Sequence, residues 1–147
     1  REGTMTAPTY STLREDLARH IAGAKLAQWA PNGIYAKFTP PAIYLGVIPD
    51  EAGPSIGINV YHHGTNGGYD TGTPAIRVQL RIKGTRDPRY ASRVADDIYQ
   101  LLHEQENYKL DNATSVLVSQ RVLTYEERDE ASVYHRVDSY EFVVNPN

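Results

Sequence analysis

The sequence predicts an α+β fold: a mostly antiparallel β-sheet flanked by two α-helices, with a long C-terminal β-hairpin. Three observations carry this. Apolar residues recur at helical spacing in two separated stretches, one from Leu13 to Ala24 and one from Tyr90 to Leu102. Segments of period two lie between them, the clearest running from Pro74 to Gly84. The last third holds two long runs rich in β-branched and aromatic residues on either side of a fully charged segment. Helices set apart from runs of strands define the α+β class. With no internal repeat and no change of composition along the chain, residues 1–147 read as one domain.

The first eight residues are small and polar and read as a flexible arm. Thr12 and Glu15 have capping-box spacing, and Leu13, Leu17, Ile21 and Ala24 form a stripe, so a helix is expected from Thr12 to about Trp29. Pro31-Asn32-Gly33 ends it. Ile34 to Ala36 and Ile43 to Ile48 read as short extended pieces, and Ser55 to His62 alternates with Ile56, Ile58 and Val60 on one face. His63 to Thr73 is glycine-rich and too polar for a core. A loop of this length is expected to be functional or mobile.

In the Pro74–Gly84 strand, Ile76, Val78, Leu80 and Ile82 point one way, while Arg77, Gln79, Arg81 and Lys83 point the other. One face should be core and the other basic and wet. Asp87 as N-cap and Pro88 at the first position open a second helix, expected to fade between Gln105 and Tyr108. Val116–Tyr125 and Val133–Val144 then form the hairpin, with Glu126 to Glu130 as its charged turn. Apolar parity changes between Val137 and Tyr140, which predicts a bulge near Asp138-Ser139.

Composition excludes several functions. There is no cysteine, so disulfides, thiolate metal sites and Cys nucleophiles are absent. A formal net charge of -3 argues against a dedicated nucleic-acid binder. No apolar run is long enough to span a membrane, and no signal-peptide core is present. Tyrosine stands out, with 11 against 2 Phe and 1 Trp, a bias that suits half-wet contact surfaces as well as strand edges.

Catalytic constellations do not assemble. His62 and His63 are adjacent and face opposite ways in a strand, while His20, His103 and His135 lie on separate elements without metal-ligand spacing. The glycine-rich segment is followed by neither G-K-[ST] nor a helix, and no G-x-S-x-G occurs. The pairs Asp96-Asp97 and Glu126-Glu127 read as solvated surface. No enzyme, metal or cofactor is expected. The basic face of the Pro74–Gly84 strand is either a solvated surface balanced by nearby acids or one that meets an acidic partner or DNA phosphates.

Two blocks, Pro41 to Gly64 and Pro74 to Glu104, resemble the minor capsid or tail-terminator family of long-tailed bacteriophages. The more specific is Arg77-Val78-Gln79-Leu80-Arg81-Ile82-Lys83-Gly84, followed by Asp87-Pro88 and a helix carrying Asp97, Ile98 and Leu101. The similarity in element order covers Thr9 to Val144. It implies a virion protein, assembled in the host cytoplasm, that forms a homo-oligomeric ring (a hexamer) without a cofactor. The ring would cap the tail tube, end its polymerisation and meet the head–tail connector. Ring or partner contacts are expected at His63, Asn66, Tyr69 and Asp70 in the glycine-rich segment and at Glu126, Glu127, Arg128 and Asp129 on the hairpin. Arg77, Gln79, Arg81 and Lys83 are expected to face an acidic partner or, without sequence preference, DNA in the channel. A neck or head-completion protein is the alternative within the virion. A small α+β enzyme or ligand-binding domain is the alternative of another class, and it requires a concave pocket with convergent polar groups.

Overall fold

A computed structural model describes residues 10–65 and 74–145. The expected N-terminal arm and the positions Asn66, Tyr69 and Asp70 lie outside the described residues. The elements run α1 (Tyr10–Gly23), β1 (Ala42–Leu45), β2 (Ser55–Thr65), β3 (Pro74–Lys83), α2 (Pro88–Leu102), β4 (Gln105–Leu110), β5 (Thr114–Arg128) and β6 (Tyr134–Asn145). The strands form one sheet in the order β1-β2-β3-β6-β5-β4. Only β1 and β2 pair in parallel; every other neighbouring pair is antiparallel. The fold is α+β, as the periodicities predict.

The core lies between the helices and one face of the sheet. Ile76, Val78, Leu80 and Ile82 of β3 are fully buried and continue the rows set by Ile56 and Ile58 of β2 and by Tyr140 and Phe142 of β6. Leu13, Leu17 and Ile21 of α1 and Ala91, Ala95, Ile98 and Leu102 of α2 close over them. Small residues on α2 allow close approach. A Cβ on Gly84 would stand 2.9 Å from the backbone nitrogen of Ala91, so the strand-to-helix connection needs glycine for space. Asp87 caps the helix as expected, its Oδ1 accepting the Arg89 N–H at 3.0 Å, and Pro88 follows at the first position.

The structure corrects several boundaries. Helix α1 is already formed at Tyr10, so Thr12 lies within it rather than capping it. It stops at Gly23 instead of Trp29 because Lys25 adopts a left-handed conformation (φ 65). Lys25 N–H then donates to Ala22 O and Leu26 N–H to Ile21 O, a six-to-one closure. Ile34 to Ala36 is not a strand. After the left-handed Gly33, Tyr35 turns inward, its hydroxyl accepting the Ala30 N–H and donating to Ile43 O, so a side chain anchors this segment.

Helix α2 ends at Leu102 rather than fading beyond it, because the left-handed Glu104 (φ 54) redirects the chain into strand β4. The bulge is also displaced. The β3–β6 register is unbroken from Ala75↔Val143 to Lys83↔His135, and the β5–β6 pairing shifts twice in β5, between Val116 and Val118 and, opposite Ser139, between Arg121 and Leu123. Parity changes in β6 for another reason: both of its faces are covered. Arg136 and Asp138 occupy the helix-side positions in ion pairs, while Val137 is buried on the opposite face between Arg81 of β3 and Tyr125 of β5.

Candidate assembly interface

The face of the sheet away from the helices carries the β3 residues singled out by sequence. Arg77, Gln79, Arg81 and Lys83 share it on β3, as alternation requires. Their cations are already met. Arg77 pairs with Glu141 of the adjacent β6 at 3.2 Å. Arg81 reaches across β6 to an ion pair with Glu127 of β5, passing over the buried Val137. Lys83 Nζ donates to the carbonyls of Ala52 at 2.7 Å and Asp50 at 3.2 Å. Both arginines of this face are therefore paired with acids while Lys83 is held by carbonyls, and one of the ion pairs joins two groups of sequence-predicted site residues.

Strand β5 runs beyond its neighbour. Its pairing with β4 ends at Gln105↔Ser119, yet it stays paired with β6 as far as Arg128↔Tyr134. Just past the last β4 pair, His103 Nδ1 accepts the Arg121 N–H at 3.0 Å. Beyond that point no strand lies along the outer edge of β5 among the described residues. Residues 122–128 are exposed on both faces, and among them Val122, Leu123 and Tyr125 are large and apolar. Glu126, Glu127 and Arg128 thus belong to a strand, not to a turn.

The turn itself is built by Asp129. Its Oδ1 accepts the N–H groups of Ala131 at 2.9 Å and Val133 at 3.0 Å, and its Oδ2 lies 2.9 Å from His135 Nε2. His135 and these N–H donors hold the Asp129 carboxyl below the usual carboxylate range. Asp129 is engaged within its own hairpin. Of the glycine-rich group, His63 is placed by its pairing with Ile76 at the far end of the β2–β3 ladder.

Sequence reasoning missed the support at the root of this arm. The Arg121 guanidinium lies 4.1 Å over the Tyr99 ring of α2, which stacks on His103 at 4.3 Å. Asp138, almost fully buried, accepts from Thr124 at 2.5 Å and Arg121 at 3.4 Å, with Arg136 Nε 3.5 Å away. Strand β4 was missed as well. Its signal was Asp111-Asn112, both left-handed, in the tight connection that returns β4 into β5.

The open face also bounds a groove of about 960 Å³ between residues 46–53 and the hairpin end, with Arg81, Lys83 and His135 among its lining. Among the described residues, no group of three or more His, Asp or Glu gathers as a metal site. Three of the histidines have structural partners instead: His20 and His103 each accept a backbone N–H, and His135 pairs with Asp129. Among the described residues, no helix is long and apolar enough to cross a membrane.

An open strand edge, exposed apolar side chains beside it and a face of paired charges define a protein with surfaces for meeting other chains. The chain belongs to the bacteriophage tail terminator family, whose sequence model, described as bacteriophage tail terminator protein, matches residues 20–146. No curated protein matches it. Membership makes it a structural protein of a phage tail, located in the virion and in contact with other tail components.

Proposed function

We propose that this protein acts by assembly rather than catalysis. It closes into a ring, six subunits as the family resemblance implies, which seats on the finished tail tube, stops addition of tube protein and presents its other side to the head–tail connector. The observation that carries this reading is the family match over residues 20–146. The exposed overhang of β5 supports it, because a closed head-to-tail ring needs contact surfaces that a lone subunit leaves open. Glu126, Glu127 and Arg128 of the overhang belong to the proposed contacts, with Asp129 shaping the turn. His63, Asn66, Tyr69 and Asp70 are proposed to reach a neighbour or the tube. The β3 face of Arg77, Gln79, Arg81 and Lys83 is proposed to line the channel or meet an acidic partner.

The test is electron microscopy of tails assembled in host cells with and without this protein. Without it, tubes of uncontrolled length are expected. Tails of normal length that fail to join heads would overturn termination and move the protein to the neck.

A further inference from the structure

The large apolar side chains left exposed fall mostly into two groups, one beside the edge strand β1 and one on β5 past the end of β4, and Val47 of the first lines the same groove as the hairpin end. One is the β5 overhang, with Val122, Leu123 and Tyr125. The other surrounds β1, where Ile34 is 74% exposed, Val47 87% and Leu45 37%. In the strand order, β1 and β5 are separated by β2, β3 and β6, so their axes stand four strand spacings apart, about 19 Å.

The hairpin end is acidic, while the outer flank of β1 carries lysines. Residues 126–130 of the hairpin hold four acids and one arginine. Glu127 is taken by Arg81 and Asp129 by His135, while Glu126 and Glu130 have no ion-pair partner among the described residues. On the other side, the chain from Ile21 to Pro49 contains Lys25 and Lys37 and no acid; the exposed Asp50 and Glu51 follow it, Asp50 on the wall of the groove that faces the hairpin. Both lysines are exposed and unpaired among the described residues. They flank Gln28, whose backbone lies along the outer edge of β1 and whose side-chain amide donates to the carbonyls of Lys37 and Pro40.

The overhang is poorly suited to pair with itself. Its apolar half, Val122 to Tyr125, precedes its charged half, Glu126 to Glu130. An antiparallel self-pair lays the apolar half of one copy on the charged half of the other. A parallel pair in register sets Glu126 against Glu126, a like-charge contact that disfavours it. Two-fold association through this edge is thus opposed, and a different surface must receive it. The β1 end answers it in both respects, with apolar surface for the apolar half and lysines for the free glutamates. Gln28 and Tyr35 already take the outward N–H and C=O of Ile43, so the contact there is made by side chains and does not continue the strand ladder.

We infer that the β5 overhang of one copy docks on the β1 end of the next, with Glu126 and Glu130 facing Lys25 and Lys37. This is a heterologous contact, the kind that closes rings. It rests on the ring reading above and gives that ring its polarity.

The test is a charge swap read by analytical ultracentrifugation of the full chain. Glu126→Lys/Glu130→Lys and Lys25→Glu/Lys37→Glu are made separately, and each is confirmed folded by circular dichroism. Each alone should need about tenfold more protein than the parent to form rings. Mixed one to one, they should recover near-parental assembly, because every arm–edge contact in an alternating ring then joins opposite charges. Rings formed by either variant as readily as by the parent, or a mixture no better than its components, would overturn this contact and leave the ring reading standing. A parent chain that forms no ring, alone or with tube protein, would overturn both.

Discussion

His20 shows how far a single side chain can be read. In sequence it is one of five scattered histidines without ligand spacing. In the structure it sits near the end of α1, where Nδ1 accepts the Asp111 N–H at 3.1 Å and the ring tilts against Tyr108. Burial pushes its pKa below 6.5, only partly offset by the Asp111 charge. The folded protein therefore resists a proton that the unfolded chain accepts. The stability His20 contributes is fully present above about pH 6.5 and is lost as pH falls through the lowered folded value. Urea midpoints should fall between pH 7.5 and pH 5, and His20→Asn should reduce that fall. A decline of equal size in the variant would assign the effect elsewhere. Asp129 titrates in a separate, more acidic range, since its carboxyl is held below the usual carboxylate value by His135 and its own turn. Neither role is legible in sequence, because each depends on a partner supplied by folding: the β4–β5 turn for His20, the hairpin closure for Asp129.

Elements were legible where local chemistry and burial agree. Strand β3 alternates from Ile76 to Lys83, with four fully buried residues on one side and four partly exposed polar ones on the other. Helix α2 declares its start with Asp87-Pro88, and the α2–β3 contact explains why Gly84 closes the Arg77–Lys83 motif. Substituting Gly84→Ala forces its Cβ to within 2.9 Å of Ala91 Cβ and backbone nitrogen. A loss of about 1–3 kcal/mol is expected, measurable by chemical denaturation. A variant as stable as the parent would show that α2 can move outward without cost. Elements were illegible where side chains, not periodicity, set the backbone. The segment around Tyr35 is extended in sequence but is held by a hydroxyl, and β4 has little burial to give it a pattern. The parity change in β6 is visible in sequence, but the bulge it predicts lies across the ladder in β5. An ion pair crossing from Arg81 to Glu127 buries Val137 on the face that should be wet, and no single-strand pattern reports a cross-strand roof. The overhang of β5 is legible only in part for a related reason: its charged run has the composition of a turn, and strand length follows from pairing with β6.

At the scale of the molecule, the open face of the sheet bears on the proposed passage of DNA. A chain of net charge -3 has no general attraction for phosphate, so contact would have to be local. Arg77 and Arg81 offer it, but each is already paired, with Glu141 and Glu127. At Arg77 and Arg81 a phosphate would gain a contact only as the arginine leaves its carboxylate, so the binding proposed for this face would be weak and without sequence preference. That behaviour suits a channel through which DNA must slide rather than stop. Arg77→Glu/Arg81→Glu would set two new acids beside Glu127 and Glu141, turning a balanced surface into a repulsive one. Infectious titre should drop by roughly tenfold or more while tail length by electron microscopy stays normal, because the variant alters passage or head joining and not termination. The neutral pair Arg77→Gln/Arg81→Gln separates charge from support of the hairpin: it removes the bridge over Val137 without adding repulsion, and its titre should fall much less. If both pairs reduce titre equally, the arginines act by holding the overhang in place. If neither changes it, the β3 face is ordinary outer surface.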